Sequence, residues 1–166
     1  MTIEELLQEL DQEARTTRRV LERVPDDQLD WRPHEKSLTL GQLAMHVATI
    51  PAAIATIAAS PAFDITTPIP RPGAASTAEL LDALDRSIAR AKALLGGMTD
   101  DALAMPWRMV NGDREIAVMP RGALLRSVML NHWYHHRGQL TVYLRQTGAL
   151  VPAVYGDSAD EKPFAT

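Results

Sequence analysis

The connection spanning residues 60–75 constrains the fold of this chain more than any other stretch. It carries Pro61, Pro68, Pro70, Pro72 and Gly73, and apolar residues recur at helical spacing on both sides of it. A tight turn between antiparallel helices needs only a few residues, and prolines this dense favour extended backbone. A connection of this length is expected to cross a bundle from end to end, so that the helices it joins run parallel.

Four segments have the required periodicity. The first, residues 3–24, has its stripe at Ile3, Leu6, Leu7, Leu10, Ala14, Thr17, Leu21 and Val24. Thr2 with Glu5 reads as a capping box, and Pro25-Asp26-Asp27 as a stop. The stretch 28–37, with Trp31-Arg32-Pro33, reads as a turn or short helical piece. The second segment, residues 40–59, opens on Thr39 and Gln42 and places Leu43, His46, Val47, Ile50, Ile54 and Ile57 on one face. Pro51 should kink it. The third, residues 77–95, is capped by Ser76 with Glu79 and ended by Gly96-Gly97. The fourth, residues 120–147, has Pro120 at its first turn, Gly148 at its end, and a stripe of Leu125, Val128, Met129, His132, His136, Leu140 and Tyr143. Before it, Asn111-Gly112 between Trp107, Met109, Val110 and Ile116, Val118 predicts a small hairpin or extended loop without a larger sheet. Residues 99–103 echo residues 25–29, each an acidic turn after a helix. Aromatic residues are only 5% of the chain, which suits a helical bundle better than a β-sandwich. The predicted fold is a single all-α domain over residues 1–166: a four-helix bundle with a long crossover between helices two and three.

Three of the five histidines lie in the stretch Asn131-His132-Trp133-Tyr134-His135-His136-Arg137-Gly138-Gln139. His132 and His136 are four apart and share a helix face. His46 falls on the apolar stripe of helix two. Three imidazoles converging in a core are costly if unpaired or protonated, and a divalent cation held by neutral ring nitrogens resolves that cost. Three histidine ligands leave a coordination position open, as catalytic sites do. Imidazole suits zinc, nickel, iron and copper alike. No glutamate stands between His132 and His136, so the zinc-protease pattern is absent. His135 points about a hundred degrees off the pair, His34 sits in a polar turn, and Arg137 and Gln139 read as salt-bridge or capping partners. Tyr143 on the inner face and Tyr155 and Asp157 in the tail are candidates for proton transfer, although a packed core tyrosine is the simpler reading of Tyr143. Trp31 and Trp107 read as packing residues at the bundle's end.

Several function classes are disfavoured. Net charge −4 argues against non-specific nucleic-acid binding. The absence of cysteine excludes disulfides and thiolate catalysis by the chain itself. The acidic start and the interrupted apolar run Val47–Ala59 predict no secretory leader and no membrane span, hence a cytoplasmic protein.

His46 early in helix two, His132-x-x-x-His136 followed directly by Arg137-Gly138-Gln139, Trp31-Arg32-Pro33, Arg145 before Gly148, and the tail Val151-Pro152-Ala153-Val154-Tyr155-Gly156 together resemble the DinB/YfiT-like metalloenzymes, over nearly the whole chain. The resemblance implies a bundle in up-down-down-up order, a divalent metal (often zinc or nickel) held by His46, His132 and His136, and a homodimer. Relatives include transferases that use a low-molecular-weight thiol such as bacillithiol, and a mycothiol-dependent maleylpyruvate isomerase. The leading expectation is thus a metal-dependent transferase or hydrolase acting on a small molecule. The alternatives are a non-enzymatic, stress-associated metal-binding or scaffold bundle, and a helical interaction module whose histidines do not converge.

Overall fold

A computed structural model describes residues 1–163. Its elements are α1 (Ile3–Leu21), α2 (Leu40–Ala59), β1 (Ala62–Asp64), α3 (Thr77–Gly96), α4 (Asp100–Ala104), β2 (Pro106–Asn111), β3 (Arg114–Pro120), α5 (Arg121–Leu124) and α6 (His132–Gln146). A π-helical segment, Leu125–Asn131, joins α5 to α6, and a 3-10 turn spans Asp26–Gln28.

Local signals set most helix ends. Thr2 and Thr39 each accept the backbone N–H three residues on, and Glu5 and Gln42 reach back to the cap's own N–H. At α3 the box is half made: Ser76 accepts the Glu79 N–H, while the Glu79 carboxylate takes the N–H of Ala75. α1 stops at Leu21, three residues before the predicted end.

Cross-contacts fix the helix directions. Arg18 meets Asp85 and Asp11 meets Lys92, so α1 and α3 are antiparallel. Gly41 lies against Ala74 and the Ala52 N–H bonds Ser87, so α2 and α3 run the same way. Arg121 donates to the Ala58 carbonyl and Trp133 to that of Val47, so α6 opposes α2. Leu6, Leu10, Leu43, Leu84, Leu140 and Leu144 are among the core residues between them. The 20-residue α2 reaches the length and hydropathy of a membrane span, but half of its most apolar window is buried within the fold.

The all-α prediction is corrected by a three-stranded mixed sheet of order β1-β2-β3. β2 and β3 form the hairpin predicted around Asn111-Gly112, and Gly112, at φ 57, takes the first position of its two-residue turn. The expectation that no larger sheet forms fails because β1, inside the proline-rich crossover, pairs in parallel with β2, Phe63 opposite Met109. Extended backbone needs hydrogen-bond partners, and β2 is held within reach by Trp107, which is fully buried and donates its indole N–H to the Ile57 carbonyl.

The fourth predicted helix is also interrupted. Pro120 ends β3 and caps α5 instead of starting the helix, and the π segment follows four residues later. The tail folds back: Arg19 bonds the Ala153 carbonyl and Glu161, and Arg145 pairs with Asp160.

Candidate metal centre

Pro51 organises one side of the site. It has no N–H to give the Val47 carbonyl one turn earlier. That carbonyl instead accepts the indole N–H of Trp133 at 2.8 Å, in the fully buried core. The next N–H, of Ala52, bonds Ser87 Oγ on α3. Val47 follows His46 and Trp133 follows His132, so the bond repairing the proline break also sets α2 against α6 beside two of the histidines.

The π segment sets the other side. A π turn accommodates an extra residue, so every later side chain is rotated relative to a continuous α-helix. The buried positions of α6 are accordingly Trp133, Arg137, Leu140 and Leu144, in place of the predicted His132, His136, Leu140 and Tyr143. His132 and His136 are moved from the core to its rim, where both are half-buried. This corrects the prediction that His132 and His136 belong to the inner stripe of the helix; Arg137 takes a buried position there.

The three histidines converge. The candidate ligand nitrogens of His46, His132 and His136 all lie within 4.8 Å of one another. Ring centroids are 5.3 Å apart for His46–His132, 4.6 Å for His46–His136 and 4.5 Å for His132–His136. The Nε2 atoms of His132 and His136 face each other at 2.8 Å. Gln139 Oε1 lies 2.7 Å from His136 Nδ1 and accepts its proton when the ring is the Nδ1–H tautomer, leaving the Nε2 lone pair in the cluster. His132 Nδ1 is buried, and the one acceptor near it among the described residues is the Val128 carbonyl one turn back, at a geometry short of a good hydrogen bond.

All three rings favour the neutral form that a cation requires. Burial, then His136, His132 and Arg71, bring the His46 pKa down to about 4. Burial is also the largest cause lowering His132 and His136. Two Nε2 atoms face to face, a third imidazole within 4.8 Å and a Gln139 oxygen placed to hold His136 in the Nδ1–H tautomer make a donor set that fits a divalent metal site.

A cavity of about 170 Å³ adjoins the cluster. His46 and His132 contribute to its wall, and the rest is mainly aliphatic, with Ile50, Ile54, Ile57 and Ile69 prominent. Ile69 and Pro70 of the crossover also line it. Tyr143 does not line it; its ring meets Trp31 edge-on at 5.5 Å. The Tyr155 hydroxyl is engaged away from it, and Asp157 is exposed in the tail. His34 accepts the Lys36 N–H in an exposed turn, and exposed His135 flanks His136 with centroids 5.0 Å apart.

Sequence reasoning read Arg137 as a salt-bridge or capping partner but missed its burial and its partner, Glu13. Arg137 and Glu13 form a buried ion pair at 2.6 Å, with side chains 1% and 7% exposed. Arg137 also donates to Thr17, to the Glu13 carbonyl and to Tyr155, whose own hydroxyl donates to Glu13. Burial is the main cause raising the Tyr155 pKa to about 12, and it holds the neighbouring Tyr134, which bonds Glu9, protonated as well. Glu13 carries no motif; the one available signal is a carboxylate one residue short of the α1 stripe at Ala14.

The comparisons with known proteins agree with this architecture. The chain is 31% identical over 164 residues to uncharacterized protein YrdA of Bacillus subtilis (strain 168), covering 96% of this chain and 92% of that protein. A DinB-like protein from Bacillus cereus ATCC 10987 superposes with a TM-score of 0.71 at 31% identity, over 93% of this chain and 98% of the other. The DinB-like protein YjoA of Bacillus subtilis shares the fold, with a TM-score of 0.70 at 19% identity over 90% and 97% of the two chains. The DinB family profile matches residues 1–163, and the chain belongs to the DinB family.

Proposed function

We propose that this protein is a metal-dependent enzyme acting on a small molecule, with His46, His132 and His136 as ligands of one divalent cation. The observation carrying this reading is the convergence of three imidazoles beside a cavity, with no fourth ligand residue grouped with them among the described residues. Zinc and nickel suit the all-nitrogen donor set, and iron is compatible with it. Bound there, the cation supplies Lewis acidity, lowering the pKa of whatever water or thiol occupies its open position. The protein residues do the rest. Gln139 fixes the His136 tautomer, the Trp133–Val47 bond fixes the spacing of α2 and α6, and the isoleucines exclude bulk water from the cavity. Among reactions, S-transfer from a low-molecular-weight thiol is proposed by analogy with the family resemblance alone. A homodimer in the cytoplasm completes the proposal.

The test is elemental analysis of purified wild type beside His132→Ala. Stoichiometric metal in the wild type and its loss in the variant are expected; a metal-free wild type, or a variant that keeps its metal, overturns the site. A thiol-transfer assay with bacillithiol, mycothiol and glutathione then examines the reaction. Turnover with none of them rejects the transferase reading and leaves the metal site standing.

A further inference from the structure

The chain is acidic, and most of its arginines near a carboxylate are paired: Arg18, Arg19, Arg108, Arg126, Arg137 and Arg145 each meet one. Five exposed arginines, Arg15, Arg71, Arg86, Arg90 and Arg114, make no hydrogen bond or ion pair among the described residues. Arg71, Arg86 and Arg90 are not scattered. Arg86 and Arg90 lie one turn apart on α3 and line a groove of about 490 Å³ between α2 and α3. Pro72 and Gly73 form part of that groove, while Ile69 and Pro70 line the cavity beside the histidines. Arg71 therefore stands where the crossover passes from cavity to groove, between two prolines that restrict its backbone. Thr49 lines both spaces. The Arg71 charge is felt at His46 and His136.

Two like charges one turn apart on a helix repel, and Arg71, next in sequence to the groove-lining Pro72, adds a third positive charge to this part of the surface. Glu79 is the single carboxylate in the groove, and it is engaged by the Ala75 N–H. An anion resolves this arrangement. The adjoining cavity is too aliphatic to hold the charged end, so it accepts an apolar stem.

We propose that Arg71, with Arg86 and Arg90, binds the carboxylate or phosphate end of a substrate whose apolar stem enters the isoleucine-lined cavity toward the three histidines. The direction of the stem rests on the metal-site reading; the anion site itself does not. The ligand class is an amphiphilic small anion, with Arg71 selecting it at the entrance.

The test is a titration followed by NMR chemical shifts, with hexanoate, hexyl phosphate and neutral hexanol, on protein as purified and after chelation. Both anions should bind about tenfold or more tighter than hexanol, as expected when charge-assisted hydrogen bonds are made. Arg71→Ala should lose most of that advantage, Arg71→Lys should retain part of it, and Arg86→Ala with Arg90→Ala should weaken it further. The stronger of the two anions identifies the headgroup. Because all three side chains are exposed, the variants should fold, which circular dichroism checks. Anion preference that survives chelation supports the site whether or not the histidines hold metal. Equal binding of hexanol and hexanoate, or anion binding unchanged in folded Arg71→Ala, overturns the proposal.

Discussion

Replacing Trp133 with phenylalanine tests how the two histidine-bearing helices are held in register. The indole N–H is the donor to a buried carbonyl whose helical partner Pro51 cannot supply. Losing it leaves the Val47 carbonyl unsatisfied, at about 1–3 kcal/mol. The smaller ring leaves a void in a site with no solvent exposure, which adds about 1 kcal/mol. Trp133→Phe should therefore cost about 2–4 kcal/mol, near 2–4 °C of melting temperature per kcal/mol for a domain of this size. The same substitution on a Pro51→Ala background separates the two contributions. Alanine restores an N–H that can bond the Val47 carbonyl, so only the void should remain. Urea denaturation of wild type, both single variants and the double variant should give a coupling of about 1–2 kcal/mol. Additive costs would show that the indole does not replace the missing helix bond, and would refute the argument.

Other expectations follow from the same structure. The folded pKa of His46, about 4, lies below its ordinary value of 6.5, so the unfolded chain binds more protons between those values. The contribution of His46 to stability is thus complete above 6.5 and declines as the pH falls toward 4. Urea denaturation of chelated protein across this window should show the decline, with a shallower slope in His46→Gln; equal slopes would reject it. Arg137→Met strands a buried carboxylate and should cost about 3–5 kcal/mol, whereas adding Glu13→Leu should recover part of the loss. A double variant less stable than the single one would contradict the pairing. Gln139→Ala frees the His136 tautomer and should weaken metal binding about tenfold in a competition titration with a chromophoric chelator. Unchanged affinity would show that Gln139 does not orient the ligand.

Much of the helical framework was legible because its signals are local. Thr2 with Glu5 and Thr39 with Gln42 fix their helix starts through bonds reaching only three residues. The bounds of α2 and the start of α3 could be read directly for that reason. The sheet was not legible. Ala62–Asp64 carries no strand alternation of its own and pairs with residues more than forty positions away. The orientation of α6 was misread for a different reason. A stripe analysis assumes a constant rise and twist, and the π segment breaks that assumption just before His132. The burial of Arg137 was hidden by the same error, and its partner Glu13, one residue before the α1 stripe position Ala14, carried no motif.

The sequence by itself determined which residue types were available: three histidines with the right spacing, no cysteine, a proline within α2 and a crossover dense in prolines. Those are properties of composition and short-range periodicity, which survive without knowledge of the fold. The tertiary structure decided what each became. The extra residue of the π turn moved His132 and His136 from the core to its rim and put a paired arginine in their place. The Pro51 defect became a tie between α2 and α6, because a buried carbonyl must find a donor wherever the packing brings one. Arg71, Arg86 and Arg90 became a group only when the crossover and α3 were placed side by side. Such outcomes depend on contacts between distant segments, and nothing in the local order of residues encodes them.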